Sequence, residues 1–384
     1  MAERPPARAD TWFHRHPQKT LAVITLLGIL VMVLAAEKIL QWQHHRQGIF
    51  LETERRYIRL KEYRPKSRMM LAFPRDHLPY TDNVFTKKYP VRVDADGFIM
   101  PSRRHARPDV TLVFLGGSST ECMFVDEENR FPFMAGVLLE QQTGKKINSF
   151  NGGMSGNNSL HAIDILVNKV MPLQPRVVVF MEDINELSTL LYEGSYWNRN
   201  SSRSPLETLK PEKLVGKMLK EIFIPNLNYA YRGFKKALLP DQEDEFAQAR
   251  GRKPVVDQDW MAAEFSMNLK AFAELCRCRG IIPVFMTQAN RISPNPAPVV
   301  KAYIERFGRD TGLSYPEFKA LYDALNEATR RVGRQNGVMV IDLAAEVPPD
   351  KHHLYDMVHF NDRGSRYAAE IIAARLKPLV EGNF

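Results

Sequence analysis

The chain has 384 residues, enough for one large domain or two modest ones, and an apolar fraction of 44% excludes wholesale disorder. A net charge of +9 suits anionic surfaces such as membrane headgroups or acidic glycans; with no nucleic-acid motif and no internal repeat, no nucleic-acid partner is expected. Three cysteines, Cys122 alone and Cys276 and Cys278 two apart on a predicted helix, exclude a disulfide framework and a zinc site.

"TLAVITLLGILVMVLAAEKIL", Thr20 to Leu40, is apolar without interruption from Leu21 to Ala36. That core spans roughly 24 Å as a helix, short of a ~30 Å hydrocarbon layer. Thr20, the Lys38 stem and Ile39-Leu40 complete the crossing, with Trp42 at the interface. Arg4, Arg8, Arg15 and Lys19 precede it, so 1–19 is read as cytoplasmic, 20–40 as a single-pass inner-membrane anchor, and the remainder as extracytoplasmic or periplasmic. Lys38, Arg46, Arg55 and Arg56 follow the segment and oppose that orientation. The other readings are a signal peptide cleaved after Val33-Leu34-Ala35, and a buried soluble helix, which would lack any polar face.

Residues 41–108 form a juxtamembrane and packing segment. Residues 41–68 predict a basic, partly amphipathic helix ending near Pro65, either on anionic headgroups or solvated. Residues 69–108 mix proline, aromatics and turn residues and predict short strands and loops.

From 109 to 384 apolar strand-like runs alternate with helical patterns. Strands are predicted at Val110–Leu115, Lys146–Phe150, Arg176–Met181, Ile281–Met286 and Val338–Leu343, with helices near 131–143, 159–171, 260–279, 316–336 and 364–380. This predicts an α/β fold: a flavodoxin-like three-layer α/β/α sandwich on a five-stranded parallel sheet, with sites at the carboxyl ends of the strands. Two connections are too long for turns: an insertion at about 187–259, and 287–315 with its proline cluster. Each is a functional cover, an interaction surface or a decoration.

Residues that carry chemistry collect at the predicted strand ends. "LGGSST" offers Ser118 and Ser119 after the first strand, and "NGGMSGNNS" offers Asn151, Gly153 and Gly156 after the second. "MEDINEL" places Asn185 past the third, and "YDMVHFNDRG" sets Asp356 three residues before His359 after the fifth. Each alone reads as a turn or a cap. Together they supply a nucleophile, a base, an acid to orient the base, and donors for an oxyanion.

The order and spacing of these blocks resemble the SGNH (GDSL-like) hydrolase family, over about residues 109–200 and 260–380. "LGGSST" is similar to the first block, "NGGMSG" to the second, "DINE" to the third and "DMVH" to the fourth. The resemblance implies the SGNH hydrolase fold, with Ser118, Asp356 and His359 as the catalytic triad and no metal or cofactor. It also implies an oxyanion hole from the Ser118 and Gly153 backbone N–H groups and the Asn185 amide. Ser119 is then expected to face the helix start, with Thr120 helping to cap it. Three positions depart from the blocks: Gly117 stands where Asp is commonest, Asp183 where Gly is usual, and Glu186 where Asp is usual. A carboxylate at 183 is expected to crowd or oppose the oxyanion pocket.

With the anchor, the resemblance implies a membrane-anchored serine esterase or O-acyltransferase of the bacterial envelope. Its substrate would be an acyl, foremost acetyl, ester of a polysaccharide or glycolipid, and its partner a membrane-bound O-acyltransferase. Phospholipase or thioesterase activity is a lesser enzymatic option. From a different class comes a non-catalytic glycan-binding or scaffold subunit of an envelope polysaccharide-modification complex.

Overall fold

The five apolar runs pair into one sheet. In the computed structural model, which describes residues 12–49, 55–238 and 256–382, the strands are β1 (Val110–Gly116), β2 (Ile147–Gly153), β3 (Val177–Met181), β4 (Ile282–Met286) and β5 (Met339–Ile341). All pairings are parallel, in the order β2-β1-β3-β4-β5. This is the flavodoxin-like order, with its topological switch between β1 and β3. The register aligns Gly116 with Gly153 and Met181, Met181 with Met286, and Met286 with Ile341. The carboxyl ends of all five strands therefore form one level edge.

Alternation along β1 divides the core. Leu112 and Phe114 pack with the helices Phe131–Thr143 and Asp362–Glu381, whereas Val113 and Leu115 face Gln258–Arg277 and Tyr315–Asn336 across the sheet. Burial on both faces explains why the strands read as continuous apolar runs. Local signals set the helix ends: Ser314 and Glu317 form a capping box, and Gly337 ends the same helix left-handed at φ 59°.

Several expected boundaries move. The run 338–343 yields a strand of only three residues, because Leu343 already opens a short helix after Asp342. The helix expected over 159–171 ends at Ile165 and passes into a π turn before Pro172, which lacks the N–H to continue it. The connection 287–315 holds the helix Pro298–Thr311, opened by proline and closed by Gly312 at φ 75°.

The largest correction lies before the sheet. The helix expected across 41–68 is not found as such among the described residues: 41–46 continue the apolar helix Pro17–Arg46, residues 50–54 lie outside the described residues, and a strand lies at Arg55–Ile58. The backbone of this segment bonds to a loop, with Arg59 N–H donating to the Pro205 carbonyl at 2.9 Å. Further on, Arg68–Ala72 pairs antiparallel with Lys88–Arg92, and the buried Arg130 guanidinium donates to the Pro90 and Met100 carbonyls at 2.8 and 2.9 Å.

The chain divides into two compact units, Met1–Arg55 with Leu209–Asn228, and Arg56–Thr208 with Tyr229–Phe384. The first contains Pro17–Arg46, a 30-residue helix with no buried side chain that is long and apolar enough to cross a membrane, as a signal sequence also would be. Residues 1–11, most of the segment read as cytoplasmic, lie outside the described residues. The insertion holds the strand Leu206–Leu209 and the helices Pro211–Phe223 and Pro225–Leu238, and its residues 239–255 also lie outside the described residues.

Candidate active site

The turn after β1 is built on close approach. A Cβ on Gly116 would overlap the Met181 carbonyl oxygen, and one on Gly117 would overlap the Glu182 carboxyl and the Asn185 amide. Glycines there let the chain turn against β3 and open a helical turn at Ser118. The Ser118 N–H is the first donor of that turn, so no acceptor exists for it inside the helix.

His359 Nε2 lies 2.7 Å from Ser118 Oγ, and His359 Nδ1 lies 2.7 Å from Asp356 Oδ2. The other Asp356 oxygen accepts the Val358 and His359 N–H groups at 2.9 and 2.8 Å, fixing the carboxylate within its own loop. The carboxylate assigns the proton to Nδ1, which leaves Nε2 to accept from the Ser118 hydroxyl. The Tyr355 ring stacks on the imidazole at 5.6 Å and 10°. Burial disfavours the imidazolium, but the charge and hydrogen bond of Asp356, with Glu121 and Glu182 nearby, raise His359 above its ordinary value. Burial likewise opposes the Asp356 carboxylate, and His359 with the two loop N–H groups outweighs it, so Asp356 stays below the ordinary carboxylate value.

The adjacent serine is occupied elsewhere. Ser119 is 2% exposed, donates to the Val358 carbonyl at 3.1 Å and accepts from Gln288 Nε2 at 2.7 Å. It joins the Ser118 turn to the His359 loop rather than facing the helix start. The expected Thr120 cap is absent too: Gly117 occupies the cap position without a side-chain bond, and the Thr120 hydroxyl has no partner among the described residues.

Gly153 and Asn185 meet the same turn. A Cβ on Gly153 would overlap the Glu121 amide nitrogen and lie 2.7 Å from the Thr120 carbonyl carbon. The Gly153 N–H donates to Asn151 Oδ1 at 2.9 Å, and the Met154 N–H to the Gly116 carbonyl at 3.1 Å. Asn185 Nδ2 donates to the Asn157 carbonyl at 2.9 Å, and Asn185 Oδ1 accepts from Arg203 Nη1 at 2.7 Å. Gly153 and Asn185 thus hold acceptors of the protein's own in this structure.

Four buried acids lie on the elements around the turn: Glu121 and Glu182, which the motifs did not single out, and Asp183 and Glu186, which depart from them. Glu121 accepts from the Tyr63 and Ser155 hydroxyls, and burial raises its carboxyl above the ordinary value. Glu182 Oε1 accepts the Asn185 N–H at 2.9 Å, and burial pushes its carboxyl up to about 7. Glu186 accepts from Ser159 and Tyr196 and is pushed up to about 8, again chiefly by burial. Asp183 is wholly buried, and burial with Glu182 and Glu186 beside it raises it well above the usual range. The acid against the Ser118 turn is Glu182 rather than Asp183, its carboxyl bordering Gly117. The sequence signals were present: a glutamate three residues after Ser118, and three acids in "MEDINE" at a strand end.

No family model matches the chain, and no curated protein does. Among solved structures it is similar to an acetylxylan esterase of Geobacillus stearothermophilus, at 15% identity over 72% of this chain and 96% of that one, with a TM-score of 0.40. It is also similar to a lipase/acylhydrolase of Enterococcus faecalis, at 15% identity over 70% of this chain and 95% of that one, with a TM-score of 0.39. Likenesses this distant leave the chemistry to be read from the chain's own residues.

Proposed function

We propose that this protein is a serine esterase or O-acyltransferase working through Ser118, His359 and Asp356. The observation that carries this reading is the continuous chain from Ser118 Oγ through the imidazole to Asp356, with 2.7 Å at both steps. His359 takes the proton as Ser118 Oγ attacks an ester carbonyl, and Asp356 stabilises the imidazolium that forms. The tetrahedral oxyanion is met by the Ser118 N–H, with the Gly153 N–H and the Asn185 amide exchanging their Asn151 and Asn157 acceptors for it. The imidazolium protonates the leaving alkoxide, leaving an acyl-serine. Water or a sugar hydroxyl, deprotonated by His359, then takes the acyl group and regenerates Ser118.

The substrate we propose is an acylated, foremost acetylated, envelope polysaccharide or glycolipid. The apolar helix Pro17–Arg46 would be the anchor, the catalytic unit would be extracytoplasmic, and a membrane-bound O-acyltransferase would be the partner. The helix and the basic composition support this reading. An esterase releases acid from an aryl ester with water alone, whereas a transferase stays nearly inert until a glycan acceptor is added.

A fluorophosphonate probe tests the nucleophile. The parent protein and Ser119→Ala should label and Ser118→Ala should not; equal labelling of all three would refute the assignment. A second reading, a non-catalytic glycan-binding subunit, draws on the occupied Gly153 and Asn185 donors. Absence of labelling in the parent protein would favour it.

A further inference from the structure

The insertion carries two helices whose apolar faces are not buried. In Pro211–Phe223, Val215, Met218, Leu219 and Ile222 recur at helical spacing on one side, all exposed, with Lys213, Lys217 and Lys220 on the opposite side. In Pro225–Leu238, Leu227, Tyr231, Phe234 and Leu238 form an exposed stripe. Arg232 and Lys235 flank it, and that helix contains no acidic residue. Among the described residues of both helices no side chain is buried. Helices that held a core together would bury such faces.

The first helix also carries Glu212 and Glu221, so only the second has a purely cationic remainder. An apolar stripe about a hundred degrees wide flanked by lysine and arginine suits a helix lying in a headgroup layer, its stripe among the upper acyl carbons and its cations near phosphates. Two observations select lipid over a protein groove. The first helix falls within Met1–Arg55 and Leu209–Asn228, the compact unit that also holds the helix long enough to cross a bilayer. The second helix carries charge of one sign only, which complements an anionic leaflet rather than a mixed protein surface.

We infer that the helices Pro211–Phe223 and Pro225–Leu238 each dock on anionic lipid, in addition to the candidate span. Arg203, which bonds to Asn185, precedes the first of these helices by eight residues in the sequence. This inference does not depend on the proposed chemistry.

Hydrogen exchange tests it on the full-length protein inserted in nanodiscs. Amides of 214–238 should exchange about tenfold more slowly in discs containing phosphatidylglycerol than in pure phosphatidylcholine. Combining Ile222→Asp with Phe234→Asp should abolish the difference while β1 keeps its protection, which shows that the variant is folded. Combining Arg232→Gln with Lys235→Gln, which leaves the apolar faces intact, should remove most of the lipid preference. Equal exchange in the two lipids, or protection that survives the two aspartates, would overturn the inference.

Discussion

The Arg203 guanidinium donates to the Asn185 amide oxygen at 2.7 Å, and both side chains are buried. The bond decides which end of the amide donates: with Oδ1 held, Nδ2 faces the Asn157 carbonyl, close to Gly117. Without the guanidinium the amide is free to flip. Arg203→Ala should lower kcat for an aryl ester about 10–100-fold with KM nearly unchanged, and Arg203→Lys should recover part of the loss. A rise in KM at constant kcat would show that Arg203 binds ground-state substrate instead.

The pH dependence follows from His359. Its raised value places the acid limb of kcat/KM above the ordinary 6.5, with activity lost as pH falls through it. Asp356→Asn removes the charge that lifts the imidazole, so the limb should move to lower pH while the rate drops about 10⁴-fold. The stability linkage has the opposite sense: this pair stabilises the fold below the unfolded histidine value, and the contribution fades as pH rises through the folded one. A limb that does not move in Asp356→Asn would place the titrating group elsewhere.

Glu182 should appear in a stability profile. Its folded value of about 7 lies above its ordinary 4.5, so across that window the folded state holds a proton that the unfolded chain has lost. Stability should therefore fall as pH rises from about 4.5 to about 7 and then level off, a difference of about 3 kcal/mol. Glu182→Gln stays neutral at every pH and should flatten that part of the Tm profile. An unchanged slope would assign the dependence to Glu121, Asp183 or Glu186.

Gly153→Ala drives a methyl into the backbone of Thr120 and Glu121, directly after the nucleophile. Contacts of 2.9 Å or less to backbone atoms force that turn to move, which should cost at least about 1–3 kcal/mol of stability, on the order expected for overpacking. Activity should fall more than about 100-fold, because the oxyanion donors and Ser118 move together. Titration with the fluorophosphonate probe separates the two: a folded fraction that labels at the parent rate would refute the coupling.

What the sequence made legible was what local patterning encodes. Strands buried on both faces read as apolar runs, and glycine-rich strand ends marked where backbones approach. The blocks around Ser118, Gly153 and Asn185 lay at strand ends that register brings level, and the block of His359 lies on the loop after the helix Leu343–Glu346. What stayed hidden depends on distant partners. Tyr63 belongs to a stretch whose charge pattern suggested a helix, yet its neighbours bond to a loop near 201–205, and its hydroxyl reaches Glu121. Ser119 is expected from sequence to face the helix start, and its actual partners, Val358 and Gln288, lie 239 and 169 residues away in the sequence. The role of Glu182 follows from burial, which no spacing announces.

Ser118 and Ser119, adjacent in the chain, grip one loop at two adjacent points, through the His359 imidazole and the Val358 carbonyl. A loop fastened twice cannot swing about either bond alone. The alignment of His359 with Ser118 is therefore settled when the chain folds, so in the proposed reaction its entropic cost would not recur at each turnover.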